Sequence, residues 1–109
     1  MNSVKKGKIA EEMAINFLKE SGFEIIDKNF YCKGGEIDII ATKDSVYHFI
    51  EVKSGNGFEP IYNITYKKLN RIIKCATLFL QKKRINLPFC IDAIIIKDNK
   101  IDFIENLTL

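Results

Sequence analysis

Cysteine is scarce and scattered in this chain. Only Cys32, Cys75 and Cys90 occur, none in a CxxC pair, and the single histidine, His48, has no cysteine at local metal-ligand spacing. That excludes the usual structural zinc patterns and makes reduced thiols, packed as small core residues, the expectation. Long apolar runs are missing too. The opening MNSVKKGKIAEEM holds no stretch of signal-peptide type, and nothing approaches the ~18 apolar residues of a membrane span. A cytoplasmic location with no membrane partner is therefore expected. Internal repeats, low-complexity tracts and linker-like stretches are absent as well.

What is present is ordinary in bulk. The 109 residues suit one domain spanning 1–109 with a modest core. Apolar residues make up 47% and charged residues 28%, which excludes a disordered chain. A net charge of +3 is compatible with a polyanion partner, although many proteins without one carry as much.

Periodicity divides the chain into seven elements. Ile9, Met13, Ala14, Phe17 and Leu18 recur at helical spacing and predict a helix over about residues 4–20. Ser3 suits its N-cap and Gly22 a left-handed C-terminal cap. Strands are predicted over 23–31, 36–42 and 47–53, the last rich in β-branched and aromatic residues. A loop containing Gly55 and Gly57 covers 54–60. A second helix covers about 65–83, with Leu69, Ile72, Ile73, Ala76 and Leu80 on its buried stripe. Residues 89–96 form a strand apolar enough for burial on both faces. Asp98-Asn99 is a turn before a last strand at 100–104. The order α-β-β-β-α-β-β predicts an α/β fold, a mixed sheet flanked by helices.

Strand arithmetic then brings charged residues together. Alternation places Glu36 and Asp38 on one face, and Glu51 and Lys53 on one face. A hairpin turning on Asp44-Ser45 pairs Lys43 with Val46, which sets Asp38 opposite Glu51 and Glu36 opposite Lys53. A slip of one residue would separate them. Two carboxylates held that close need a counter-charge. Mg²⁺ suits a few carboxylates plus water and phosphate, and a lysine beside them can stabilise an attacking water or developing phosphorane charge. Ordinary cross-strand ion pairs account for the same residues, and short motifs of this kind also arise by chance.

GEIDIIA followed by HFIEVK resembles the D-(x)n-E-x-K signature of the restriction-endonuclease-like superfamily. More closely, the chain resembles the small bacterial YraN-like family, itself similar to archaeal Holliday-junction resolvases. Gly7, Glu11, Ala14 and Leu18 match that family's opening pattern. Asn29, the GEID run, Glu51, Val52 and Lys53 match its centre, and Lys67, Leu69, Ala76 and Asp92 match its second half. The resemblance implies a restriction-endonuclease-like core with a five-stranded mixed sheet and two helices. It implies Asp38 and Glu51 as ligands of Mg²⁺ or Mn²⁺, with the Val52 carbonyl as a third. It also implies that Lys53 positions the nucleophilic water and that Glu11 completes the acidic cluster. Glu36 is either a further ligand or the partner of Lys53. Three positions depart from the pattern: Ala10 replaces a glycine, Ser54-Gly55 a polar-Arg pair, and Cys90 an arginine. The last two remove positive charge near the site.

Helix two also carries Lys67, Lys68, Arg71 and Lys74 off its apolar stripe, a face able to hold phosphates or simply to be solvated. His48 points away from Glu51 and reads as packing or solvent-facing. Three functions stand in order. The first is a metal-dependent nuclease acting on DNA, with branched or junction DNA implied by the resolvase likeness and a symmetric homodimer implied by the same analogy. The second is a non-catalytic nucleic-acid-binding module that keeps the fold. The third is a protein-interaction domain.

Overall fold

A computed structural model describes residues 3–55 and 64–107. Helix α1 spans Ser3–Glu20, followed by strands β1 (Glu24–Cys32), β2 (Gly35–Lys43) and β3 (Val46–Gly55). Helix α2 spans Tyr66–Lys82, and β4 (Phe89–Lys97) and β5 (Lys100–Ile104) complete the chain. The strands form one five-stranded sheet in sequential order. All neighbours are antiparallel except β3 and β4, which are parallel and joined through α2. This is the mixed sheet and element order that periodicity predicts.

Each helix covers one face. Ala10, Ala14 and Leu18 of α1 pack with Phe23, Ile39, Ala41, Ile50, Ile94 and Ile96. Ile72, Cys75, Ala76, Phe79 and Leu80 of α2 pack with Ile37, Ile40, Phe49 and Ile91. Residues 91–96 are all buried, which is why that strand lacks polar alternation. Ile9 is 43% exposed, so the α1 stripe is centred on Ala10 instead of the predicted Ile9. Among the described residues no helix is long and apolar enough to cross a membrane.

The turns set the registers. Asp44 and Ser45 both take positive φ (52° and 63°), as do Asp98 and Asn99 (51° and 62°). These are the left-handed pairs that close two-residue hairpins in step with strand twist. Lys43 pairs with Val46, and the ladder runs back to Ile39 and Ile50, in the expected register. Helix α1 ends in a Schellman motif. Gly22 (φ 91°) donates to Lys19 O at 3.1 Å, and Phe23 N to Leu18 O at 2.9 Å.

Two expectations are corrected. Ser54 and Gly55 continue β3, paired with Ile96 and Lys97, because the parallel ladder with β4 outlasts the hairpin; the rest of the expected loop lies outside the described residues. Cys32 and Cys75 are not separate reduced thiols but a disulfide, with Cα atoms 5.7 Å apart. Their sequence separation of 43 conceals that the end of β1 abuts the buried stripe of α2.

Candidate metal centre

The β2–β3 ladder stops at Ile39–Ile50, one step short of Asp38 and Glu51. Beyond it the Val52 N–H donates to Asp38 Oδ2 at 2.8 Å. The carboxylate thus replaces a strand's carbonyl where β2 and β3 part. On the other side of β2, Asn29 of β1 has a positive φ of 54° and lies between the paired residues Lys28–Ile39 and Phe30–Ile37. Alternation breaks at the same level: Ile37 packs on the α2 side and Ile39 on the α1 side. Asp38 therefore sits at an irregularity in both of its ladders.

Glu51 is buried, at 7% exposure, and ion-paired twice. Lys53 Nζ lies 3.4 Å and Lys68 Nζ 3.1 Å from the same Oε1. Burial and the charge of Glu51 push the Asp38 carboxyl up to about 7, against the pull of the Val52 N–H. Burial lowers the Lys53 ammonium, with Lys68 beside it adding to the effect and Glu51 opposing it. Two carboxylates and two ammonium groups thus share one half-buried spot.

The remaining candidates are distributed around it. Glu11 reaches over from α1, where its Oε1 accepts from Asn29 Nδ2 at 3.2 Å, and its charge also raises Asp38. Glu36 is paired with Tyr31 across β1–β2, not with Lys53 across β2–β3, and the Tyr31 side chain hydrogen-bonds it. The cross-strand match of Glu36 with Lys53 fails because the hairpin ladder ends before reaching them. Glu36, Lys67, Lys68 and Arg71 line one cavity with Gly34, Gly35 and Thr65. Gly35 lies close against α2 there, and a Cβ at that position would come within 3.1 Å of Cys75 Sγ. Lys74 is exposed on α2 and does not line that cavity.

The family model described as "Uncharacterised protein family UPF0102" matches residues 10–96, a span that contains every residue just described. The chain belongs to the UPF0102 family. A UPF0102 protein of Wolinella succinogenes is 58% identical over 104 residues, 95% of this chain and 96% of its own. Another from Helicobacter hepaticus is 53% identical over 109 residues, all of this chain and 99% of the relative. One from Aliarcobacter butzleri is 51% identical over 109 residues, 98% and 99%. The YraN likeness read from the sequence is this UPF0102 membership.

Lys68, which the sequence leaves on a basic helix face open to phosphates or solvent, is instead an ion-pair partner of Glu51. Its signal was present: Lys68 lies four residues before Ile72, and Ile72, Cys75, Ala76 and Phe79 are buried. That places Lys68 on the inward stripe at the helix start, where Thr65 caps by accepting from Lys68 N at 3.2 Å. A second polar cluster was also missed. His48 is buried against Asp92, which is 0% exposed. A carboxylate inside the apolar run of β4 required such a partner.

Proposed function

We propose that this chain is a Mg²⁺- or Mn²⁺-dependent nuclease that hydrolyses phosphodiester bonds in DNA, with branched or junction DNA as its substrate class. The observation that carries this reading is the Asp38 carboxylate, held by the Val52 N–H, largely withdrawn from water and crowded by Glu51, so that its carboxyl rises to about 7. Such crowding fits a hard divalent cation, since the oxygens of Asp38, Glu51 and the Val52 carbonyl are the donor type it takes. When bound, the cation would supply Lewis-acid activation of water and phosphate. The chain's own groups do the rest. Lys53 orients the attacking water and offsets charge on the phosphorus oxygens, while Glu51 holds both Lys53 and Lys68 in place. Lys67 and Arg71 flank the cavity beside Glu36 and suit the phosphates on either side of the reacting one. Lys74 lies further along the same helix, placed to meet a longer duplex. Glu11 holds Asn29, and through it the strand irregularity beside Asp38. We further place the protein in the cytoplasm, as a homodimer able to cut two strands of one junction.

A specific observation favours the second reading, a nucleic-acid-binding module without cleavage. Both lysines already neutralise Glu51, so its charge is balanced without a cation. One experiment separates the two: junction, flap and single-stranded DNA incubated with the protein and Mn²⁺. Cleavage is expected, and it should fall at least about 100-fold in Asp38→Ala and in Glu51→Ala. Cleavage that persists in both variants refutes the site. Salt-sensitive binding with no cleavage by the wild type supports the module.

A further inference from the structure

The face of the sheet covered by α1 holds a cluster that the nuclease reading does not use. His48 and Cys90 are register partners on the parallel strands β3 and β4, and Asp92 lies two residues further along β4 on the same side as Cys90. His48 Nδ1 is 2.5 Å from Asp92 Oδ2 and 3.1 Å from Cys90 Sγ. Cys90 Sγ donates to Asp92 Oδ1 at 3.3 Å. The ligand-type atoms of all three lie within 4.8 Å of one another. Asn106 N also donates to Asp92 Oδ1, at 2.8 Å, which orients the carboxylate with Oδ2 toward the histidine.

A cysteine–histidine–carboxylate set invites comparison with a nucleophilic triad, and the geometry excludes one. A relay needs the carboxylate and the thiol on different ring nitrogens. Here both meet Nδ1. Burial and Asp92 also push the Cys90 thiol up to about 12, away from a free thiolate.

We propose that His48 Nδ1, Cys90 Sγ and Asp92 Oδ2 form a second metal site, for a borderline-soft divalent cation of the Zn²⁺ type. One nitrogen, one sulfur and one oxygen donor match zinc and mismatch Mg²⁺, which takes oxygen alone. On binding, Cys90 loses its proton to solvent and the His48 ring proton moves from Nδ1 to Nε2. Counted from a neutral imidazole, the cluster takes up a dication, releases one proton and goes from one negative charge to none. The three atoms must separate by a few tenths of an ångström to about one ångström to reach ligand spacing around zinc. A cavity over the cluster, lined by Phe23, Lys43, Glu105 and Asn106 beside His48 and Cys90, gives them room. It also leaves the fourth position to water or to Glu105, whose charge already reaches Cys90. The Asn106 N–H on Asp92 is the outer hydrogen bond that metal-ligating carboxylates require. Local spacing could not signal such a site, because its ligands come from two strands joined only through α2.

The test uses the full chain, stripped with a chelator under non-reducing conditions and titrated with Co²⁺ as a spectroscopic stand-in for zinc. One equivalent should produce a near-ultraviolet thiolate-to-cobalt charge-transfer band and the visible bands of four-coordinate cobalt. Both should survive in the Asp38→Ala, Glu51→Ala double variant, which removes the oxygen site on the other face. Cys90→Ser should lose the charge-transfer band and weaken Zn²⁺ binding by about 100-fold or more. Zn²⁺ should raise the melting temperature of the wild type and not that of Cys90→Ser. A wild type that yields no charge-transfer band overturns the proposal without recourse to any variant. So does a band that persists in a folded Cys90→Ser protein.

Discussion

The two faces of the sheet each hold a carboxylate beside strand β3, one enclosed and one half-buried, and they treat it in opposite ways. On the α1 face Asp92 is fully enclosed, and its oxygens meet His48, Cys90 and the Asn106 N–H. Among the described residues no buried side-chain polar atom lacks a partner. On the α2 face Asp38 has one backbone donor, and partial burial together with the like charge of Glu51 raises its carboxyl to about 7. A fully satisfied buried network makes a structure specific, whereas a crowded one stores unfavourable electrostatics that a ligand can relieve. The two faces therefore offer different chemistry: crowded charge on one suits an oxygen-binding hard cation, and a satisfied nitrogen–sulfur–oxygen set on the other keeps its donors neutralised until a softer cation displaces their protons.

The largest effect that would sharpen this contrast is on the satisfied face. His48→Ala leaves Asp92 enclosed without its main partner and should cost about 3–5 kcal/mol in urea unfolding. A loss below about 1 kcal/mol would erase the distinction between the faces. Next is the tie on the α2 face. Cys75→Ser opens the link across 43 residues of chain and should cost up to about 4 kcal/mol on the chain-entropy account. Equal unfolding curves for that variant and the wild type, both without reductant, would show that the link contributes nothing.

Asp38 should give a smaller effect of opposite sign. Its carboxyl lies at about 7 in the fold against 3.8 ordinarily, so the folded chain holds that proton more tightly than the unfolded one. Its contribution to stability is whole below about pH 4 and is lost as pH rises through 7. Asp38→Asn keeps an acceptor for Val52 N and should stabilise the protein at pH 8 by about 1–2 kcal/mol, discounted for partial exposure. It should do nothing of the kind at pH 4. A variant that is less stable at pH 8 would contradict the reading of Asp38 as strained. The smallest effect compares the helices. Both end in the same motif, but α2 places Arg84 at φ 56° where α1 has Gly22. Arg84→Gly should gain about 0.5 kcal/mol, the backbone strain relieved outweighing the added chain entropy. A destabilised variant would mean that the arginine side chain makes up for its backbone.

Much of the fold was legible because its signals are local. The two-residue turn at Asp44-Ser45 and the alternation after it settle the hairpin register without reference to anything distant. Asp38, Glu51 and Lys53 came from that register. Glu36 was misplaced by the same logic, since alternation breaks at Asp38 and no residue type announces where two strands will part. The partners that escaped notice all cross a long connection. Lys68 meets Glu51 from α2, Cys75 meets Cys32 across the same helix, and Asp92 meets His48 through the parallel crossover. Only the tertiary fold makes those residues neighbours. Asp92 and Lys68 still left traces, one a charge in an apolar strand and the other a charge on an apolar stripe.

Strand β3 carries His48 toward one helix and Glu51 toward the other, three residues apart on the same backbone. It works as a shared axle: a slip of one residue would turn both clusters out of place together, and a change to its backbone is felt on either side. Damage to β3 therefore reports on the pair. The independent handles are the residues that reach it from elsewhere, Lys68 from α2 for the acidic face and Cys90 from β4 for the histidine face.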